Sequence, residues 1–254
     1  MGDSQVGIAL IYPTLLGTYG DGGNALVLAQ RLRWRGYRSA VLPVDIREPL
    51  PRLADIYVLG GGEDAAQNLA VAHLAADGTL EQAASAGRPI LAVCASYQIL
   101  GRTYVDGAGV VHTGLGLLDC HTTRLPGPRA VGELVARPLL PAHAPLPLLT
   151  GFENHGGATT LGPGARPLAT VCSGIGNGDG DGTEGAVQGS VVATYAHGPV
   201  LARNPALADI LLRPVVGPLP ALPDAEEDAL REQRIGAVLQ RTRPGRMRIR
   251  SGGG

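Results

Sequence analysis

A mostly parallel α/β sheet flanked by helices, with additional β-hairpins in its second half, is the fold class this sequence predicts. Two observations predict it. Over the first hundred residues, short apolar runs without polar alternation take turns with stretches of helical spacing, the pattern of strands buried on both faces. Beyond about Gly107 the texture changes to short strands separated by Gly and Pro turns, which indicates hairpins. The 254 residues suffice for one large domain or two small ones with a real core.

Residues 6–12 (VGIALIY) form a continuous apolar strand signal. Residues 24–34 have helical spacing, with Leu26, Leu28, Leu32 and Trp34 set among arginines and Gly36 as the stop. Residues 39–44 and 56–59 read as two more strands, 69–86 as one Ala-rich helix, and 89–94 as the next strand. Short strands follow at 130–135, 147–153 and 189–195. Residues 174–185 (GIGNGDGDGTEG) are too rich in glycine for anything but a loop joining two strands. Its Asp179-Gly180-Asp181-Gly182 lacks the ligand spacing and closing glutamate of a calcium loop, so it reads as a flexible hairpin. Residues 204–212 return to a helix. Residues 224–240 form a charged helix, N-capped by Asp224 with Glu226 and Glu227 in its first turn; it packs either on the body or on a partner. The expected division is a main domain over 1–213, a linker and helix over 214–240, and a disordered Arg/Gly-rich tail over 241–254.

A formal net charge of −1 with 44% hydrophobic residues describes an ordinary globular protein. It carries no electrostatic footprint for nucleic acid or an anionic membrane. All 21 basic residues are arginine, which points to codon bias in a GC-rich genome. Three dispersed cysteines, Cys94, Cys120 and Cys172, make no disulfide framework and suit a reducing compartment. The first residues have no basic leader, and no apolar run approaches about 18 residues. A cytoplasmic protein without membrane insertion is therefore expected.

Cys94 carries the first chemical signal. It ends the apolar run and is followed by small residues and the helix-like stretch 95–100. A thiol at a strand-to-helix turn stands at the sheet edge beside free N–H groups, and a helix N-terminus favours the thiolate. The plain alternative is a small buried cysteine packed as a hydrophobe. A thiolate nucleophile needs a base, usually histidine. Of the six histidines, His197 is delivered by a strand (191–195) to a Gly198-Pro199 turn, where sites form, and His155 is the second candidate. Acyl transfer also needs an oxyanion hole. The Gly60-Gly61-Gly62 loop and the Ala95 N–H could supply one. No Gly-Lys-Ser/Thr follows the triplet, which argues against a P-loop.

These elements together (the glycine loop, then Cys94-Ala95-Ser96-Tyr97-Gln98, then a strand-borne histidine about one hundred residues on) resemble the class I, triad-type glutamine amidotransferase domain, a flavodoxin-like fold. Gln98 keeps that family's spacing from the cysteine, while Ala92, Ala95 and Ser96 stand where members usually carry glycine. Within the family the chain resembles the cobyric-acid-synthase-like branch, and more closely the glutaminase subunits of lipid II isoglutaminyl synthases. The stretches that carry this are Tyr19-Gly20-Asp21-Gly22-Gly23-Asn24, Gly60-Gly61-Gly62-Glu63-Asp64 with Gln67, Arg129-Ala130-Val131-Gly132-Glu133, Gly151-Phe152-Glu153-Asn154-His155, Gly182-Thr183-Glu184-Gly185 and residues 194–205.

The resemblance implies Cys94 as nucleophile, His197 as base, Arg129 and Gln98 on the substrate L-glutamine, and Gly61 and Ala95 as oxyanion donors. It implies no metal or cofactor in this chain. ATP would belong to a Mur-ligase-like synthetase subunit of the MurT type, the partner in a heterodimer, which would amidate the D-glutamate α-carboxylate of the lipid II stem peptide. The ordinary class I pattern has a glutamate two residues past the histidine; here that residue is Pro199. An aspartate from the synthetase is then implied as the third acid, with Glu153 and Glu184 as internal substitutes, and the chain alone should be a weak glutaminase. The competing readings are the glutaminase of another amidating system, of the cobyrinate type, and a catalytically silent binding or regulatory subunit on the same fold.

Overall fold

The computed structural model describes residues 5–141 and 146–241. Its first part alternates β1 (Val6–Ile11), α1 (Gly23–Trp34), β2 (Ser39–Val44), β3 (Ile56–Leu59), α2 (Asp64–Asp77), α3 (Thr79–Ser85), β4 (Ile90–Val93) and α4 (Ala95–Leu100). A run of short strands follows: β5 (Thr103–Val105), β6 (Val111–Thr113), β7 (Cys120–Arg124), β8 (Ala130–Pro138), β9 (Leu149–His155), β10 (Gly157–Leu161), β11 (Ala169–Ser173), β12 (Thr183–Glu184), β13 (Ala186–Gln188), β14 (Val191–Thr194) and β15 (Ala196–His197). Helices α5 (Val200–Arg203), α6 (Pro205–Val216) and α7 (Ala225–Arg241) close the described chain.

The main sheet has six strands in the order β13-β14-β4-β3-β1-β2, all parallel except the antiparallel edge strand β13. Its central strands β3 and β4 are buried along their whole length, which explains why they read as unbroken apolar runs. Helices supply the other side of the core, as where Leu28, Ala29 and Leu32 of α1 pack fully buried. The hairpin-rich part forms a four-stranded sheet, β10-β7-β5-β6, and a five-stranded sheet, β12-β11-β8-β9-β15. Residues 174–182 join the antiparallel pair β11 and β12, while Thr183 and Glu184, expected within the loop, form β12 itself.

Three expectations need correction. The Ala-rich helix over 69–86 is two helices, because Gly78 adopts φ +71 and its N–H closes α2 on the Leu74 carbonyl. Leu26 and Trp34 do not belong to the buried stripe of α1; they are 61% and 56% exposed, while Arg31 is 2% exposed. Arg31 is buried because Asp209 and Asp224 neutralise it at 2.8 and 2.6 Å. For the same reason Asp224 does not serve α7 as a side-chain cap: both its carboxylate oxygens accept from Arg31. Helix α7 packs on its own chain, where Ile235 and Val238 cluster with Val135 and Leu148. Apart from Arg241, the tail over 241–254 lies outside the described residues. Among the described residues no helix is long and apolar enough to cross a membrane.

Candidate active site

The order β14-β4-β3-β1 brings four chain segments to one edge of the sheet. The loop after β1 carries Asp21, the loop after β3 carries Gly60 to Gly62, the turn after β4 is Cys94, and the continuation of β14 into β15 carries His197. Carboxyl ends of parallel strands are where open α/β sheets bind ligands.

Cys94 has φ +54 and ψ −108, a conformation that costs an L-residue on the order of 1–3 kcal/mol. The surroundings over-determine it. Its N–H donates to the Thr194 carbonyl on β14 at 2.9 Å, and its carbonyl accepts from Gln98 N–H at 3.2 Å as α4 begins. Ser96 Oγ donates to the Gly60 carbonyl at 2.5 Å, joining this turn to the glycine loop. The thiol itself contacts the Asn154 carbonyl at 3.9 Å.

His197 is 1% exposed, and its Nδ1 donates to Asp21 at 2.9 Å (Oδ2) and 3.1 Å (Oδ1). Asp21 is buried as well and accepts the Gly61 N–H at 2.9 Å. The carboxylate on His197 is thus Asp21 of this chain, where the sequence pointed to an aspartate of the partner, Glu153 or Glu184. The expected substitutes are engaged elsewhere: Glu153 accepts the Ile175 and Gly176 N–H groups, and Glu184 accepts the Thr194 hydroxyl and the Tyr195 N–H. A carboxylate only accepts, so Nδ1 carries the proton and the buried Nε2, without a hydrogen-bond partner among the described residues, is left for the thiol. Burial opposes protonation of His197, but the hydrogen bond to Asp21 and the nearby charges of Asp21 and Cys94 outweigh it and push the imidazole from 6.5 up to about 9. The Tyr19 ring covers it, with centroids 4.8 Å apart.

Gly61 lies where the three groups meet. A Cβ there would stand 2.9 Å from His197 Cε1, 3.2 Å from Asp21 Oδ2 and 3.4 Å from Cys94 Cβ. Its N–H, expected to serve the oxyanion, is instead committed to Asp21. Gly62 and Ala95 line the adjoining cavity of about 270 Å³. Neither of their amides donates to another described residue.

Arg129 and Gln98 also line this cavity. Gln98 accepts from Gln67 Nε2 at 2.9 Å and donates to the Tyr195 hydroxyl at 3.2 Å, so both ends of its amide are engaged within the protein. Arg129 is exposed at the rim, with Nη2 donating to the Asn154 carbonyl at 3.0 Å and Nε to the Asn154 side chain. His155 lies flat on Tyr195, centroids 3.7 Å apart, and donates Nδ1 to the Gly157 carbonyl; it forms cavity wall, away from the Asp21 pair. Among the described residues no cluster of His, Cys, Asp or Glu is arranged to hold a metal ion.

What the sequence reading missed is Asp21. The signal was present, since Tyr19 to Asn24 is one of the stretches that carry the resemblance, but 176 residues separate Asp21 from His197 and only the strand order joins them.

Residues 7–205 match the CobB/CobQ-like glutamine amidotransferase domain. The lipid II isoglutaminyl synthase (glutamine-hydrolysing) subunit GatD of Staphylococcus aureus is 36% identical over 199 residues, 78% of this chain and 79% of that protein. The same subunit of Streptococcus pneumoniae is 32% identical over 80% of this chain and 78% of its own length. The cobyric acid synthase of Pelotomaculum thermopropionicum is 33% identical over 77% of this chain, but only 38% of that protein is covered. Among solved structures, a glutamine amidotransferase from Thermotoga maritima aligns with a TM-score of 0.53 at 19% identity, over 93% of this chain and 97% of the other. That likeness is one of fold.

Proposed function

The chain belongs to the family of CobB/CobQ-like glutamine amidotransferase domains, and from that premise we propose that it is the glutaminase subunit of a lipid II isoglutaminyl synthase. The observation that carries the reading is the convergence of Cys94, His197 and Asp21 around Gly61. The likeness to the Staphylococcus subunit, 36% identical over 79% of that protein's length, also favours it.

The mechanism follows from the groups present. The Cys94 thiolate attacks the side-chain amide carbon of L-glutamine, and the Gly62 and Ala95 N–H groups receive the developing oxyanion. His197 gives its proton to the amide nitrogen, the C–N bond breaks and ammonia leaves, with a γ-glutamyl thioester on Cys94. Water then attacks the thioester, His197 takes its proton, and the C–S bond breaks to release glutamate and restore the thiolate. Asp21 holds His197 in the required tautomer throughout. Arg129 takes the α-carboxylate of glutamine. Ammonia passes to a Mur-ligase-like synthetase, which binds ATP and amidates the D-glutamate α-carboxylate of lipid II.

The test is glutamate release by the chain with and without its synthetase. The wild-type complex releases glutamate and forms amidated lipid II, and Cys94→Ala releases none. Glutamate release that persists in Cys94→Ala removes the mechanism. Amidation of a corrin instead of lipid II removes the substrate assignment.

A further inference from the structure

Asn154 contacts three groups at once. Its carbonyl accepts the Cys94 thiol at 3.9 Å and Arg129 Nη2 at 3.0 Å. Its side-chain Oδ1 accepts from Arg129 Nε, and its Nδ2 donates to the Tyr19 hydroxyl. Tyr19 in turn packs at a 60° tilt against the His197 ring. The Tyr19 contact fixes which end of the carboxamide faces Arg129, since only the oxygen can accept from a guanidinium.

We infer that Asn154 is a positioning residue that presets Arg129 for the substrate carboxylate. A guanidinium offers five N–H groups in a planar fork. Asn154 occupies the edge made by Nε and one hydrogen of Nη2. The end formed by Nη1 and the other Nη2 hydrogen is left to grip a carboxylate with two parallel bonds. Arg129 is exposed, on the short connection between β7 and β8, and without this anchor a long flexible side chain has to be ordered anew at each binding event. Because the anchoring residue also touches the thiol, the grip on the α-carboxylate is set at a fixed place relative to Cys94. The inference rests on the reading of Arg129 as the carboxylate-binding group.

The experiment measures KM and kcat for L-glutamine in the chain, with its synthetase present, for Asn154→Ala, Arg129→Ala and the double variant. Asn154→Ala is expected to raise KM by about tenfold or more with kcat changed less than about threefold. The double variant is expected to be no worse than Arg129→Ala, because Asn154 acts through Arg129. Asn154→Gln, which displaces the carboxamide by one methylene, should raise KM in the same way. Iodoacetamide, which needs no carboxylate, should alkylate Cys94 in these variants at the wild-type rate within about twofold. An unchanged KM in Asn154→Ala overturns the inference, as do single effects that multiply in the double variant. A fall in alkylation that matches the rise in KM also overturns it, by assigning Asn154 to the thiol. If Arg129→Ala itself leaves KM unchanged, the carboxylate reading of Arg129 fails and the inference falls with it. If Arg129→Ala raises KM and Asn154→Ala does not, only the inference falls.

Discussion

Asp21 decides which nitrogen of His197 carries the proton. By accepting Nδ1–H with both carboxylate oxygens, it leaves Nε2 as the atom that, in the mechanism proposed above, exchanges a proton with the thiol and with leaving ammonia. Asp21→Asn keeps the volume but loses the charge, and its amide can present a donor to Nδ1, which selects the wrong tautomer. We expect kcat for glutamine hydrolysis to fall by about 10³–10⁴-fold, whether or not the synthetase is bound. A variant that retains wild-type kcat in the complex would return the third acid to the partner. The same contact sets the pH dependence. His197, raised from 6.5 to about 9 by Asp21 and Cys94 against the opposing effect of burial, stays protonated through neutrality, so kcat/KM should decline on the alkaline side near pH 9. In Asp21→Asn that alkaline limb should move to lower pH. The stability arising from this protonated pair is present in full below pH 6.5 and is lost as pH rises through about 9. At this scale the sequence was legible wherever a residue type and its immediate neighbours suffice. Cys94 announced itself by the apolar run before it and the small residues after it. Asp21, in a glycine-rich loop among 22 acidic residues, had nothing local to set it apart; the hydrogen bond that defines it is tertiary.

The elements that make the site are turns, and their small residues are matched to close approaches. Gly61 has no room for a side chain: a Cβ would lie 2.9 Å from a His197 ring atom and 3.4 Å from Cys94 Cβ. Its φ is not in the left-handed region, so the glycine is required by space alone. Gly61→Ala should therefore fold with the loop intact but displace the imidazole. We expect kcat to fall by about 10–100-fold, with the thermal midpoint lowered by only a few degrees. An alanine variant with normal kcat would mean that the loop yields in place of His197. Strands β1, β3 and β4 could be read because each is a largely buried apolar run between breakers; the edge strand β2, with Leu42 and Pro43 exposed, reads as a strand from its apolar residues alone. The split between α2 and α3 was hidden because alanine fits a helix on any face, so 69–86 looked continuous. Only Gly78, at φ +71, marks the break. Strand order is a different kind of information. Nothing in β14 or β4 states that they pair, yet that pairing places the Cys94 N–H on Thr194 and brings His197 beside the thiol.

At the scale of the whole molecule, the C-terminal segment is tied to the catalytic body through a buried cation. Arg31 on α1 donates Nε and Nη2 to Asp209 on α6, and Nη1 and Nη2 to Asp224 just before α7. Arg35 adds Asp209 at 2.6 Å and the Pro220 carbonyl at 2.7 Å. Burial would disfavour the charge on Arg31, but these bonds and the two carboxylates outweigh it and hold the guanidinium protonated. In the sequence Arg31 reads as the polar side of an amphipathic helix, because charge is taken as a sign of exposure. The inversion, with Arg31 inside and Trp34 outside, comes from partners nearly two hundred residues away. Replacing Arg31 by alanine leaves Asp224 without its cation and Asp209 with Arg35 alone, each carboxylate with about a fifth of its surface exposed. Removing one partner of a buried pair costs about 3–5 kcal/mol. The lower figure applies here, because those carboxylates can regain some water. Arg31→Ala should therefore lower stability by about 3 kcal/mol in urea unfolding. Adding Asp224→Ala should recover part of the loss, since it removes the charge that Arg31→Ala strands. Additive losses in the double variant would show that Arg31 and Asp224 act independently, and that the C-terminal helix is held by the Ile235–Val238 cluster alone.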